Sequence, residues 1–565
     1  MVKSTRGRLA LFIILSIFLF ACLSSSGSSG QAATEPAGTA AIAPAVGFAA
    51  VNDSAMNGPF LAYTPMISTV ARPTNCRYGI GNEPGKDANK WMDFMGAGHY
   101  INFIYKPLGP PVPESVEFFP QVRISQDKQG NQYLPSVSIR PPLNMDQGGL
   151  GNHVLANPGR LWIVGNEPDV ANAFQDATYP QWYARAYHDI YAFIKQIDPN
   201  AQVAIAGLSM ITPGRLQYLD IVLDTYWQEY GQPIPVDVWN MHLYILSEIR
   251  PWDGGPSDGK VALGTDPALA IKAPYGAPQT ECPKDDVYCR AEHDDIDIFM
   301  DQIVAMRTWM KANGQQDKPL LLSEFSQLYP FVDYDDPLNP SQCFLMDEFG
   351  QCFTQPRVTA FLQNAMDYLE TARDPNLGYP ADDNRLIQQW AWYSLWVEGE
   401  GSGGSSNLLV DGYESKSLDS EAALTQVGRA YRQRALSSEL TVNLVAEEAP
   451  DAAAQISGPG GTADVELKVG YLNNGSGTII DSFKVTFYAN AGLTQVIGET
   501  VVSPGHTGLI NGCSWDRITD WASFTWTGVP EGNHTFWVKV DSNNNIPDEI
   551  NEADNVTSGQ VIVTP

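Results

Sequence analysis

The sequence is poor in basic residues and in cysteine. Of its 565 residues only 34 are Lys or Arg, against 64 Asp or Glu, which gives a formal net charge of −30. Nucleic acids and anionic lipids are bound through basic patches, so this balance argues against both as partners. The seven cysteines include no Cys-x-x-Cys spacing, so a cysteine metal site is not supported.

A long apolar run, Leu9–Ala21, follows three basic residues at the amino terminus. Such a run is typical of an export signal and is short for a membrane span. It ends in Leu19-Phe-Ala-Cys22, which resembles the cleavage box of bacterial lipoproteins with Cys22 as the lipidated residue. We expect an export signal over residues 1–22, a flexible Ser/Gly/Ala tether over 23–60, and an extracellular or cell-surface location. The membrane would be contacted only through the lipid, and plain secretion stays open as the alternative.

An exported chain meets an oxidising compartment, in which disulfides form. Cys76 and Cys513 lie in different predicted domains, and we interpret them as buried or free thiols and not as a bridge. The other cysteines form two pairs that are close in sequence, within polar insertions that contain proline. Each pair is predicted to close a short loop, namely Cys282 with Cys289 and Cys343 with Cys352.

The length predicts more than one domain. Around Ser437–Gly461 the pattern of apolar and polar residues changes. After it, short segments alternate apolar and polar residues with a period of two, as half-buried strands do. These segments include Val465–Tyr471, Phe483–Tyr488 and His534–Val540. We predict a linker over 438–461 and an all-β immunoglobulin-like sandwich over 462–565.

Residues 61–437 carry eight strand candidates interleaved with helical patterns. This alternation favours the α/β class and a (β/α)8 TIM barrel, whose working residues lie at the carboxyl ends of the strands. Two long insertions follow the sixth and seventh candidates, on the same side as those ends. The candidates are Cys76–Gly81, His99–Tyr105, a part of Val116–Ile124, Leu161–Val164, Val203–Gly207, Val236–Tyr244, Leu320–Leu322 and Ile387–Tyr393.

Two glutamates follow apolar strand candidates directly. Leu161–Val164 leads into Gly165 and Asn166-Glu167-Pro168, and Leu320–Leu322 leads into Glu324. Two carboxylates at the ends of separate strands are what glycoside hydrolysis needs, one as acid and base and the other as nucleophile or base. For either glutamate alone, an ordinary solvated side chain is the simpler interpretation.

A second Asn-Glu-Pro occurs at Asn82-Glu83-Pro84, after the first strand candidate. Three barrel strands do not precede it. We therefore interpret Glu83 as part of a structural loop and not as a catalytic residue.

With these motifs the chain resembles the retaining (β/α)8-barrel glycoside hydrolases that carry Asn-Glu-Pro after the fourth strand and a glutamate after the seventh. The pattern is most similar to the glycosyl-hydrolase catalytic core of the family 128 endo-β-1,3-glucanases. The resemblance implies hydrolysis of O-glycosidic bonds in a polysaccharide, with β-glucan expected, by double displacement without cofactor or metal. It makes Glu167 the acid/base and Glu324 the nucleophile.

The same resemblance suggests residues that bind the sugar. Asn166 matches the family's Asn that contacts the sugar 2-hydroxyl, with a simple turn former as the alternative. His242 and Tyr244 share one face of the sixth strand, where Tyr244 could donate to the nucleophile; satisfied core residues are the alternative. Trp390 and Trp392 share a face of the eighth strand. We favour Trp392 as a platform for a sugar ring, with barrel core as the alternative.

The segment Val540–Asn555 resembles the bacterial cell-adhesion-related domain CARDB, so the C-terminal domain could contact cell-surface glycan or protein. Asp541, Asn543, Asn545 and Glu552 also match positions 1, 3, 5 and 12 of a calcium-loop pattern. However, Ile546 replaces the glycine expected at position 6. A polar turn is therefore the favoured interpretation.

Three hypotheses for function remain. A secreted or lipid-anchored glycoside hydrolase is favoured because both glutamates are present. The alternatives are a non-catalytic surface protein that binds glycan, and an adhesion protein in which the barrel is accessory. Release of sugar by the barrel distinguishes the first hypothesis from the others.

Overall fold

The computed structural model describes residues 74–82, 89–108, 112, 116–171, 174–246, 248, 261–270, 288, 292–328, 351–397, 406–456, 461–503, 512–515 and 518–565. The predicted export signal, the tether and Cys22 lie outside these residues, as do Glu83, Cys282, Cys289 and Cys343. Among the described residues, no helix is both long enough and apolar enough to cross a membrane.

Parallel strands dominate the first part of the chain. One sheet has six parallel strands in the order β3-β2-β1-β10-β9-β8, and a second sheet has the order β5-β4-β6-β7. The first sheet contains β1 (Asn75–Gly81), β2 (Ala97–Ile101), β3 (Glu117–Phe118), β8 (Trp239–Leu243), β9 (Leu320–Phe325) and β10 (Gln389–Tyr393). The second contains β4 (Gln121–Gln129), β5 (Gln132–Arg140), β6 (Leu161–Val164) and β7 (Gln202–Ile205).

The two sheets touch at both of their ends. A parallel bridge joins Ala204 of β7 to Val238, just before β8. At the other end, Phe119 and Pro120 are all that separates β3 from β4. There Phe119 N–H donates to Tyr100 O of β2 at 3.0 Å, and Ile163 N–H of β6 donates to Pro120 O at 2.9 Å. Short contacts thus connect the sheets on either side, and the carboxyl ends of their parallel strands face the same way.

Helices follow most of the parallel strands. On α3 the spacing of Tyr183, Tyr187, Ile190 and Ile194 gives one buried face. The β4–β5 hairpin, α2 and α6 were not predicted. The helices are α1 (Met92–Met95), α2 (Leu150–Leu155), α3 (Pro180–Ile197), α4 (Pro213–Tyr230), α5 (Ile296–Ala312), α6 (Gln355–Thr371) and α7 (Gln426–Ser437).

The C-terminal part is built from two sheets around one core, in the orders β11-β13-β16 and β12-β18-β17-β14-β15. Leu467, Phe487 and Phe536 belong to the core between them. Every strand pair is antiparallel except β12 with β18. The strands are β11 (Leu444–Glu448), β12 (Ala452–Gln455), β13 (Thr462–Asn473), β14 (Phe483–Tyr488), β15 (Val496–Val502), β16 (Asp520–Pro530), β17 (Gly532–Lys539) and β18 (Val556–Thr564).

The C-terminal part differs from the sequence-based prediction at its start and agrees with it at the turn after β17. β11 and β12 lie within the stretch predicted as a linker, so the sheets begin earlier than expected. Both strands are short, and β12 consists of three alanines and a glutamine, which carry little strand signal. The segment after β17 agrees with the favoured polar turn. The Asp541 carboxylate accepts the backbone N–H groups of Asn545 and Ile546 at 2.9 and 3.0 Å, and Asn543 Oδ1 accepts Lys484 N–H at 2.9 Å.

A disulfide joins Cys76 of β1 to Cys513, with the two Cα atoms 5.9 Å apart. The prediction that these cysteines are separate thiols is therefore wrong. The cysteines are 437 positions apart, so only the packing of the C-terminal part against β1 reveals the pair. That packing includes a hydrogen bond from Cys76 N–H to Ser476 O at 2.9 Å. Cys352 is also disulfide-bonded, and its predicted partner lies outside the described residues.

Non-reducing peptide mapping of the full-length protein should recover a cross-linked peptide pair that contains Cys76 and Cys513. The pairs Cys282–Cys289 and Cys343–Cys352 are expected in the same map. Reduction before digestion is the control and should separate every pair. Free Cys76 and Cys513 thiols in the oxidised protein would contradict the bridge.

Candidate active site

Glu167 lies just past the carboxyl end of β6. The chain leaves that strand through Gly165, at φ 97°, and Glu167 itself has φ 42°. This left-handed conformation is uncommon for a residue with a side chain. Two backbone hydrogen bonds hold it: Glu167 N–H donates to Gly207 O, and Val170 N–H donates to Glu167 O, each at 3.1 Å. The residue is 6% exposed, so the carboxyl group is buried on a well-held backbone.

Glu324 reaches the site because β9 carries a bulge. Leu322 pairs with Met241 on β8, but the next pair is Glu324 with His242, so Ser323 is an extra residue. The register with β10 shifts at the same place. Strict alternation would point Glu324 the same way as Leu322, into the core beneath the helices. The bulge instead turns it toward the side chain of His242, as bulges beside active sites commonly do.

His242 and Tyr244 meet the two glutamates from β8 and the residue that follows it. His242 Nδ1 lies 3.0 Å from Glu167 Oε1 and 3.6 Å from Glu324 Oε2. The Tyr244 hydroxyl donates to Glu324 Oε1 at 2.5 Å. This is the hydrogen bond that the alternation along the sixth strand led us to expect. All four side chains are buried.

The carboxyl groups of Glu167 and Glu324 are close together. One nitrogen or oxygen atom from each of Glu167, His242 and Glu324 lies within 4.8 Å of the others. In the described part of the chain, this is the group whose donor atoms are near enough to hold a metal ion. The same spacing suits two carboxyl groups that act on a single atom placed between them.

Burial governs the protonation of the site. It raises the pKa of Glu167 to about 8, helped by the negative charge of Asp169 and opposed by Arg215. It raises the pKa of Glu324 to about 7, where His242 and the Tyr244 hydrogen bond oppose the rise and Glu167 adds to it. Burial also lowers the pKa of His242, which favours the neutral imidazole. Glu167 therefore holds its proton to higher pH than Glu324 does.

Asn166 is buried beside Glu167 and has partners within the protein. Its Oδ1 accepts a hydrogen bond from Gln121 Nε2 at 3.0 Å, and its Nδ2 donates to Gln175 Oε1 at 2.5 Å. Its backbone N–H donates to Asp176 Oδ2 at 2.8 Å. These bonds fix the loop that carries Glu167. A contact with a sugar hydroxyl through the remaining amide N–H stays a prediction.

Trp390 and Trp392 point away from the site. Ala391, between them, packs with Ile163, Ala204 and Leu321 of other strands, whereas both tryptophans pack in the core beneath the helices. The Trp392 ring lies 5.3 Å from that of Phe325, and both indoles are fully buried. The expectation that either one stacks on a sugar is therefore not met. The alternation of side chains along the strand shows that the two tryptophans share a face, but not which face of the sheet it is. Ala391 and Tyr393 lie on the opposite face.

The sequence analysis missed two ion pairs beside Glu167, one buried and one partly buried. Arg123 Nε lies 2.6 Å from Asp176 Oδ1, and Arg215 Nη1 lies 2.9 Å from Asp169 Oδ2. Asp169 and Asp176 follow Glu167 within the same loop, where acidic residues are usually solvated. The signal available was the run Asn-Glu-Pro-Asp itself, which places Asp169 two positions after Glu167.

Comparison of the sequence with models of known protein families gives no match, and comparison with curated proteins gives none. Among solved structures, the chain is similar to a GH128 (subgroup I) endo-β-1,3-glucanase from Amycolatopsis mediterranei in complex with laminarihexaose. The identity is 13%, the match covers 63% of this chain and 98% of the other, and the TM-score is 0.35.

Two further solved structures are similar to parts of the chain. A CARDB domain from Pyrococcus furiosus, in complex with di-metal ions, matches at 23% identity over 22% of this chain and 93% of its own, with a TM-score of 0.16. A β-glucuronidase from Bacteroides uniformis matches at 11% identity over 84% of this chain and 43% of its own, with a TM-score of 0.28. Because these TM-scores are low, we base the function on the site itself.

Gly207→Ala should disrupt the site while leaving the fold intact. A Cβ at Gly207 would lie 2.2 Å from His242 Cδ2, so the imidazole must move away from Glu167. A misplacement of this size lowers turnover by roughly 100-fold. Steady-state kinetics and thermal melting measure the two effects. Gly214→Ala is the control, because its nearest neighbour is at an ordinary 3.7 Å. Equal kinetics in the two variants would contradict this role of Gly207.

Proposed function

We propose that the chain is a glycoside hydrolase that cleaves O-glycosidic bonds in a polysaccharide, with β-glucan as the expected substrate. The observation that carries this proposal is the pair of buried carboxyl groups, Glu167 and Glu324, brought within 4.8 Å at the ends of parallel strands. Retaining glycosidases hold their two carboxyl groups roughly 5–5.5 Å apart, whereas inverting enzymes need roughly 6.5–9.5 Å to admit a water. The short gap supports a retaining double displacement.

The proposed reaction has two steps. In the first, a Glu324 carboxylate oxygen attacks the anomeric carbon while the Glu167 carboxyl gives its proton to the leaving glycosidic oxygen. The bond between that carbon and oxygen breaks, and a glycosyl ester forms on Glu324. In the second, the Glu167 carboxylate takes a proton from water, whose oxygen attacks the same carbon and releases Glu324. The Tyr244 hydroxyl supports the carboxylate form of Glu324 before attack and after release.

We further propose that the parallel strands close into a (β/α)8 barrel in a catalytic domain over residues 61–437. The contacts at Ala204–Val238 and around Phe119–Pro120 support this closure. The C-terminal sheets would form a separate domain that starts with β11, for which an immunoglobulin-like topology stays a prediction. An exported, cell-surface location with Cys22 as the lipid site is proposed from the amino-terminal sequence alone.

Glu324→Gln should lower turnover by roughly 1,000-fold or more, because the neutral amide cannot attack the anomeric carbon. Glucan binding and melting temperature should be retained, since the amide oxygen can still accept the Tyr244 hydroxyl. A panel of β-linked glucans, with sizing of the soluble products, measures turnover. Glu466→Gln, an exposed change on β13, is the matched control.

Three outcomes of that panel would count against the proposal. Unchanged turnover by Glu324→Gln would remove Glu324 from the mechanism. Glucan binding without product from the wild type would favour the surface-binding alternative. Proton NMR should detect the β-anomer of a product from a β-linked substrate first, and the α-anomer first would mean inversion.

The pH profile of kcat/KM should be a narrow bell with its maximum near pH 7.5. The active form needs Glu324 ionised and Glu167 protonated. With pKa values of about 7 and about 8, activity should rise as pH passes through the first and fall as it passes through the second. The limbs report apparent values that belong to the coupled pair. An optimum near pH 5, where both groups are protonated in the free enzyme, would contradict this assignment.

A further inference from the structure

His293 connects the segment that follows β8 to the segment that follows β9. It lies just before α5 and is 1% exposed. Its Nδ1 is 2.8 Å from Ile245 O, and its Nε2 accepts Leu328 N–H at 2.8 Å. Because a carbonyl oxygen only accepts and an amide N–H only donates, Nδ1 carries the ring proton and Nε2 carries none. The neutral imidazole therefore satisfies both backbone groups at once.

The two connected segments adjoin the proposed nucleophile and its hydroxyl donor. Ile245 is bonded to Tyr244, whose hydroxyl donates to Glu324 Oε1 at 2.5 Å. Leu328 lies four positions after Glu324 along the chain. Hydrogen bonds and covalent bonds thus close a ring that leads from His293 through Ile245 and Tyr244 to Glu324, and back through Leu328. A change at His293 therefore reaches Glu324 from two sides.

Glu324 needs such contacts because β9 is irregular where it carries this residue. The register shifts at Ser323 against β8 and, at the same place, against β10. β9 ends at Phe325, one residue after Glu324. A bulge interrupts the ladder of backbone hydrogen bonds, so the ladder alone holds this end of the strand less firmly.

Each connected segment is also held by one further side chain. Ser406 Oγ donates to Gln327 O at 2.6 Å and accepts Gln327 N–H at 3.0 Å. Gln302 of α5 donates from Nε2 to Tyr244 O at 3.1 Å. Ser406 thus holds the segment after β9 and Gln302 the segment after β8, whereas His293 bonds to both.

The turn that carries His293 has its own support. Asp295 N–H donates to Glu292 O at 2.9 Å, which closes the turn. Arg357 of α6 donates from Nη2 to Asp294 Oδ1 at 2.8 Å. The imidazole is therefore attached to a backbone that is itself fixed, so it can fix the two segments that it contacts.

We propose that His293 is a positioning residue for the nucleophile, which holds the backbone of Tyr244 and the segment after Glu324 at a set distance from each other. This inference rests on the proposed function, because it gives the position of the Glu324 carboxylate a purpose. His293 is buried and does not touch the substrate; it acts through Tyr244 and Glu324.

The test compares His293→Asn with wild type by steady-state kinetics on a β-linked glucan. The Asn amide can still donate to Ile245 O, but the shorter side chain does not reach Leu328 N–H. The connection between the two segments is then lost. We expect kcat to fall roughly 100-fold, as for other small misplacements of a reacting group, while KM changes less than roughly threefold.

Asp295→Ala is the matched control. The Asp295 carboxylate accepts Asp297 N–H at 2.8 Å and Ile298 N–H at 3.1 Å at the start of α5, so its loss lowers the melting temperature. Both hydrogen bonds of the His293 ring remain, so kcat should stay within roughly twofold of wild type. A wild-type kcat in folded His293→Asn would overturn the inference. An equal fall in kcat in Asp295→Ala would do the same, because the effect would then be one of stability.

Backbone hydrogen exchange in the same proteins does not need activity. The amides of Phe325–Gln327 should exchange at least roughly tenfold faster in His293→Asn than in wild type, while those of Leu320–Leu322 keep the wild-type rate. The same result from a wild type that hydrolyses none of the glucans would support the role of His293 and count against the proposed function alone. Unchanged exchange over Phe325–Gln327 overturns the inference.

His293→Gln provides a second variant if His293→Asn does not fold. Its Oε1 can accept Leu328 N–H, but the hydrogen bond to Ile245 O is lost, so the connection is broken at its other end. The same fall in kcat with little change in KM is expected. A wild-type kcat in this variant would contradict the inference.

Discussion

Two buried acidic side chains that lie close together determine how the stability and the proposed chemistry of this protein depend on pH. In water a glutamate has a pKa of 4.5, whereas burial raises Glu167 to about 8 and Glu324 to about 7. The folded state therefore holds these protons more tightly than the unfolded state does. Ionising either carboxyl weakens the fold, and the loss grows as pH rises from about 4.5 to about 8. The proposed reaction requires part of this loss at neutral pH, because it needs one of the two carboxyl groups ionised.

The surrounding residues favour ionisation of Glu324 more than ionisation of Glu167. Glu324 receives a hydroxyl donor from Tyr244 and the nearby imidazole of His242, both of which favour its charged form. Asp169 is the charged neighbour with the largest effect on Glu167, and its negative charge favours the neutral form. Two chemically identical side chains are thus driven toward different protonation states by their neighbours. This separation of roles is what acid–base catalysis by a carboxyl pair needs.

Much of the site was predictable because its residues stand at the ends of apolar runs, and the alternation along the sixth strand correctly paired His242 with Tyr244. The failures have physical causes. Alternation shows which residues share a face but not which face is inward, so Trp392 was misplaced. The bulge at Ser323 interrupts the alternation of side chains along β9, and no feature of the sequence indicates it. This bulge turns Glu324 toward the candidate site. Asp169 resembled a solvated loop residue, because its partner Arg215 lies on a later helix.

The disulfide between Cys76 and Cys513 can form only late in the synthesis of the protein. Synthesis runs from the amino terminus, so the first strand exists long before the cysteine that will bond to it, 437 positions later. Until Cys513 is made, the Cys76 thiol lacks its native partner. The covalent ring closes only when nearly the whole chain has emerged. A chain broken off before Cys513 would therefore carry an unpaired thiol at Cys76, a chemical mark of its incompleteness.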